Sequence, residues 1–154
     1  MYRKLKTELR REEYLDYCNW KRRWLTKFRG SNSDLRVEIG RWQNLPRQER
    51  TCRICIQNVV EDEEHALLIC NGYERERREL FEQIYRRTEK KLDVRIMKDN
   101  TDWMLQVLIG PGIFDVETRK VITVAVSSFL YKSMRIREAL CQNMGEEEKG
   151  FRAQ

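Results

Sequence analysis

The chain has 154 residues, the length of one domain, and its 31 Lys and Arg against 25 Asp and Glu leave a formal charge of +6. Charged residues make up 36% and hydrophobic residues 40%, which excludes a disordered acidic tail and leaves a modest core. No run approaches the roughly 18 consecutive apolar residues of a membrane-spanning helix, residues 1–11 lack the apolar stretch of a secretory signal, and five cysteines here do not read as a disulfide framework.

The expected setting is therefore intracellular, with nucleus and cytoplasm left open. The charge is unevenly placed. Residues 1–60 carry 15 basic and 7 acidic side chains, residues 61–70 carry four acids and no base, and residues 101–154 balance. A positive field confined to the first part of the chain points to a polyanionic partner, with nucleic acid first, against the plainer reading of a solvated, ion-paired surface.

Residues 3–28 predict a helix, with Leu5, Leu9, Leu15, Trp20, Trp24, Leu25 and Phe28 at roughly helical spacing. Gly30, Ser31, Asn32 and Ser33 stop it. Leu35, Val37 and Ile39 alternate with Arg36 and Glu38, which predicts a short extended segment. Pro46 opens a turn over residues 46–50. Residues 61–70 start with four acids and become apolar, as a helix does whose first turn complements its dipole. Asn71 and Gly72 end it. Residues 73–91 predict an amphipathic helix with Tyr73, Arg77, Leu80, Phe81, Ile84 and Tyr85 on one side, and with Glu74–Arg78 and Glu82–Arg86 as i,i+4 pairs. Asn100 and Thr101 can cap a helix running to Ile109, ended by Gly110, Pro111 and Gly112. Asp115 can cap a long helix to about Asn143. Its β-branched opening, Val121-Ile122-Thr123-Val124, favours a strand by propensity, but the apolar pattern runs on through Phe129, Leu130, Met134 and Ile136, too far for one strand. The tail, residues 145–154, is polar. The fold class expected is mainly α, a small helical domain with one short extended segment: a basic helical part (1–30), a knuckle region (31–72), a helical C-terminal part (73–144) and the tail.

The strongest chemical signal is Cys52-x2-Cys55-x9-His65-x4-Cys70, which gathers three of the five cysteines and the sole histidine within 19 positions. A Cys-x2-Cys turn supplies two thiolates from one knuckle, Gln57 and Asn58 let the chain reverse, and the following helix can present His65 and Cys70. The expected cofactor is one structural Zn2+, because four protein ligands leave no open position. Three thiolates and an imidazole on a dication leave one negative charge, which the acids at 61–64 do not relieve; they read as a helix start. The competing readings are buried thiols with a core histidine, or a redox Cys-x-x-Cys. Cys18 and Cys141 read as packing residues.

Trp24-Leu25-Thr26-Lys27-Phe28-Arg29-Gly30, Leu35-Arg36-Val37-Glu38-Ile39-Gly40-Arg41-Trp42, the approach Pro46-Arg47-Gln48-Glu49-Arg50-Thr51-Cys52 and the block Asp62-Glu63-Glu64-His65 resemble the C-terminal region of non-LTR (LINE-like) retrotransposon reverse transcriptases. There, L-x-K-x-R and L-x-x-E-x-G-R-[YW] segments precede a C-x-x-C and an E-D-E-x-H-x-[LF]-x-x-C block. The stretch from Phe129 to Arg137 is similar to that family's closing helix. The resemblance covers roughly residues 20–140. It implies a zinc-binding accessory region, with Cys52, Cys55, His65 and Cys70 as ligands, that helps hold RNA or DNA. No paired-aspartate palm motif is present, so the implied remnant lacks the polymerase and is not an enzyme.

The expected partner is therefore RNA or DNA, without sequence-specific readout. The candidate contacts are Arg22, Arg23, Lys27, Arg29, Arg36, Arg41, Arg47, Arg50 and Arg53, with Trp42 (and Trp20 and Trp24) for stacking. The alternative is a zinc-stapled protein-interaction domain or an inert remnant.

Overall fold

The computed structural model describes residues 14–17, 20–97, 100–110 and 114–143. Over these residues the chain is mainly helical, and its extended pairing is one isolated antiparallel bridge between Thr51 and Val60.

The helix expected over residues 3–28 is divided. Its beginning, with Leu5 and Leu9, and also Cys18, lie outside the described residues. The rest forms α1 (Tyr14–Tyr17) and α2 (Arg22–Arg29), separated by a turn at Trp20 and Lys21. α2 buries Leu25 and Phe28 and stops where expected: Ser31 adopts a left-handed φ of 50° and the Asn32 amide returns to the Lys27 carbonyl at 2.9 Å.

The extended segment expected around Arg36 is instead α3 (Arg36–Trp42). The reason is non-local. Leu35 is extended, and the first two amides of the helix then find acceptors on Glu61: Arg36 N donates to its Oε2 at 2.8 Å and Val37 N to its carbonyl at 3.0 Å. A helix start satisfied from 25 residues away leaves no local signal. Gly40 matters here, because a Cβ would meet Arg50 Cγ at 2.6 Å. The Arg50 side chain crosses that gap and donates to the carbonyls of Leu45 (2.9 and 2.7 Å) and Val37 (2.9 Å).

A single 3-10 turn, Arg47–Glu49, follows Pro46 as the turn expectation required. After the knuckle come a π turn (His65–Ile69), a 3-10 turn (Asn71–Tyr73) and α4 (Glu74–Arg87). α4 buries Arg77, Leu80, Phe81 and Ile84, and both expected ion pairs form, Glu82–Arg86 at 2.6 Å and Glu74–Arg78 at 3.9 Å. It ends before residue 91 because Glu89 and Lys90 take positive φ. α5 (Thr101–Ile109) is capped by Asn100, whose side chain accepts from Trp103 N at 2.9 Å. α6 (Val116–Asn143) is capped by Asp115 through Thr118 N at 3.0 Å. Pro111, Gly112 and the tail lie outside the described residues.

α6 is the axis of the domain: α1, α2, α4 and α5 all pack against it. That surrounds its β-branched opening with protein and buries Ile122, Thr123, Ala125, Val126, Phe129 and Leu130. Each large apolar side chain so buried stabilises by about 1.5–3 kcal/mol, which outweighs a weak local preference for strand. Among the described residues no helix is long and apolar enough to cross a membrane.

Candidate metal centre

Two short devices bring four side chains together. In the first, the chain enters at Thr51, turns through Cys52 and Cys55, reverses at Asn58 with a φ of 51°, and returns at Val60. Cys52 N donates to the Val59 carbonyl at 2.8 Å and Glu61 N to the Arg50 carbonyl at 2.9 Å, which fixes the register. In the second, Asp62 caps the next turn by accepting from His65 N at 3.0 Å. The turn is π rather than α, with Cys70 N donating to the His65 carbonyl at 2.7 Å. This choice decides the site. Five residues apart on an α-helix, His65 and Cys70 would point about 140° away from each other. A turn closed by an i+5 bond brings them back over one another.

Cys52, Cys55, His65 and Cys70 thus place their ligand atoms within 4.8 Å of one another, and the four can hold a metal ion. Cys52 Sγ is 3.8 Å from Cys70 Sγ, and Cys55 Sγ is 3.4 Å from His65 Nε2. Cys52, His65 and Cys70 are buried and Cys55 is half-buried.

Backbone amides point at the three sulfurs. Ile54 N donates to Cys52 Sγ at 3.4 Å, and the amides of Gln57 and Gly72 do the same for Cys55 and Cys70, each from two residues ahead. Without a cation the sulfurs share protons unequally. Cys52 is pushed up to about 12, first by its bond to Cys70 and then by burial. Cys70 is pulled down, chiefly by accepting that bond. Burial raises Cys55. A cation among the sulfurs would take over what the shared proton does.

The surroundings carry charge of both signs. Arg77, buried on α4, donates to the carbonyls of Leu67 at 3.0 Å and Cys70 at 2.6 Å, so it closes the end of the π turn and sets a positive charge near the sulfurs. Glu61, at 0% exposure, lies 3.8 Å from Cys52 Sγ and pairs with Arg137 of α6, 4% exposed, through two contacts of 3.2 and 3.0 Å. Glu61 therefore joins the knuckle, the start of α3 and the central helix. The reading of residues 61–64 as a helix start holds for Asp62 but not for Glu61. Only the charge on its partner, 76 residues away, separates the two roles. Gly72 completes the packing: a Cβ there would lie 2.4 Å from Ile54 Cγ2, so the two thiolate turns touch at this glycine.

The candidate nucleic-acid contacts separate by burial. Arg29 is buried, with its guanidinium 4.8 Å from the Tyr14 ring and Nη1 3.3 Å from the Gly110 carbonyl. Arg36 is also buried, and Arg50 is committed to three carbonyl bonds. Arg29 and Arg50 spend their guanidiniums inside the fold, and Arg36 is withdrawn from the surface. Lys27 and Arg53 are half-buried. Arg22, Arg23, Arg41, Arg47 and Trp42 are exposed. Arg22 donates to the Leu15 carbonyl, Arg41 pairs with Glu38 at 2.7 Å and Arg47 with Asp62 at 2.7 Å. Cys141 is buried, as a packing residue should be, 3.5 Å from Arg137 Nη1.

No family model, no curated protein and no solved structure matches this chain.

Proposed function

We propose that this chain is a non-catalytic nucleic-acid-binding module held together by one structural zinc ion and derived from the accessory end of a LINE-like reverse transcriptase. The observation that carries the reading is the closeness of the four ligand atoms, all within 4.8 Å. A tetrahedral zinc with Zn–S bonds of about 2.3 Å has sulfur–sulfur edges of about 3.8 Å, and the Cys52–Cys70 separation is 3.8 Å. Three thiolates and one imidazole suit zinc better than the hard cations, which take oxygen. Four protein ligands leave no position for substrate, so the ion's work is to hold two turns that have little apolar interior of their own.

The nucleic-acid part rests on exposed Arg22, Arg23, Arg41 and Arg47 with Trp42, on the basic balance of residues 1–60, and on the resemblance of the ligand block to reverse transcriptase C-termini. Purified protein is expected to contain one zinc per chain and to bind RNA or single-stranded DNA with an affinity that falls steeply as salt rises. Well under one zinc per chain, or no retention of either nucleic acid at low salt, contradicts the proposal.

One observation favours a second reading, a zinc-stapled protein-interaction domain. Ile56 is fully exposed on the knuckle, and Val59 and Ile69 are exposed together on one face of the metal-site turns. Concentration-dependent self-association without salt-sensitive nucleic-acid binding would select that reading instead.

A further inference from the structure

A surface outside the metal centre alternates cations with aromatic rings. At the turn before α2, Trp20 is 53% exposed and meets the Tyr131 ring of α6 edge to face, with centroids 4.7 Å apart and planes at 86°. Lys21 Nζ lies 5.8 Å from the Trp20 centroid and 5.5 Å from that of Tyr131. Arg23 sits between two indoles, 5.8 Å from Trp20 and 5.3 Å from Trp24. Lys27 follows at 5.5 Å from Trp24. The order along the face is therefore Tyr131, Lys21, Trp20, Arg23, Trp24, Lys27.

Packing alone does not account for this arrangement. Trp20 leaves half its surface in water, although burying an indole is one of the larger apolar gains open to a chain. The Trp24 indole nitrogen has no hydrogen-bond partner. Among the described residues no carboxylate pairs with Arg23 or Lys27, and α2 carries four cations and no acid. On α4, by contrast, arginines are matched with glutamates. The charge of Arg23 and Lys27 is left for a ligand, and the ligand must be anionic.

We infer that this α2–α6 face binds single-stranded nucleic acid, with an unpaired base stacked on Trp20 beside Tyr131 and phosphates on Arg23 and Lys27. The inference rests on the nucleic-acid reading above and narrows it to a strand type and a surface. Ring faces bind bases through stacking, which every base offers and which a duplex has already used internally. A base arriving at Trp20 displaces Arg23 from the indole face, and the freed guanidinium is then close to that nucleotide's phosphate. Tyr131 lies six residues before Arg137 on α6, about 9 Å along the helix and about 120° around it. The stacking face and the Glu61–Arg137 pair that ties α6 to the metal centre thus lie on separate sides of one helix, and a variant at one leaves the other in place.

The test uses the full zinc-loaded chain and fluorescence anisotropy with labelled oligouridylate, oligothymidylate and a DNA duplex. Trp20→Ala should weaken both single strands roughly fivefold to a hundredfold and change duplex binding little. Trp20→Phe, which keeps a stacking face, should retain most of the affinity. Arg23→Gln with Lys27→Gln should reduce the slope of log affinity against log salt by about 1.4 for two lost phosphate contacts. Single-strand binding unchanged in a folded Trp20→Ala variant, or an equal loss for duplex, overturns the inference while leaving the broader reading standing. No binding by the wild-type chain overturns both.

Discussion

Residues 51–73 and the three helices after them, α4, α5 and α6, differ in the balance of what they bury, more polar in the first and more apolar in the second. The first region has turns, one bridge and one π turn, and its interior includes Cys52, Glu61, Glu63, His65 and Cys70. The second buries Leu80, Ile84, Leu105, Val126 and Leu130 on helical faces. An apolar interior is stabilised by leaving water, whatever it touches. A polar one is stabilised only when each group finds its partner. On the proposed zinc reading, order in the first region therefore depends on a cation for three sulfurs and a nitrogen, which the second does not need, while the buried Glu61–Arg137 pair is shared by both.

The largest expected effect comes from removing that cation. Chelation or Cys52→Ser should unfold residues 51–73 and lower the melting temperature by about 10 °C or more, while most helical circular dichroism survives. Equal loss of helix signal would erase the distinction between the regions.

Glu61→Gln should cost about 3–5 kcal/mol, because it leaves the Arg137 guanidinium buried without its charge partner. This is the substitution expected to weaken both regions together, since Glu61 touches the metal turn, α3 and α6. Denaturant melts with and without metal measure it. A loss confined to the metal-bound form would show that Glu61 does not link the two regions.

Leu130→Ala removes a fully buried side chain from the axis of the domain and should cost about 2–5 kcal/mol. Metal affinity measured by competition with a chromophoric chelator should stay within a few fold. The smallest effect expected is Gly72→Ala, about 1–3 kcal/mol of overpacking against Ile54. Here metal affinity should fall, because the contact lies between the two thiolate turns.

The contrast also governs what could be read from the sequence. The helix caps at Asn100 and Asp115, the i,i+4 pairs on α4 and the four ligand positions are local patterns, and each appears in the structure where its spacing put it. What escaped was set at a distance. α3 looked extended because the five alternating residues 35–39 fit either period, and its start is satisfied by Glu61. Arg29, Arg36 and Arg50 looked like surface cations because composition does not record which carbonyl or ring a guanidinium meets. The π turn under His65 and Cys70 is likewise invisible to a 3.6-residue period, although the four-residue gap between the two ligands already calls for something wider than an α-helix.

The most direct test of the central claim is X-ray absorption at the zinc edge on the purified 154-residue chain. The account predicts one zinc per chain with three sulfurs at about 2.3 Å and one nitrogen at about 2.0–2.1 Å, and loss of one sulfur in Cys70→Ser. A first shell of oxygens, or a spectrum unaffected by that substitution, would contradict it.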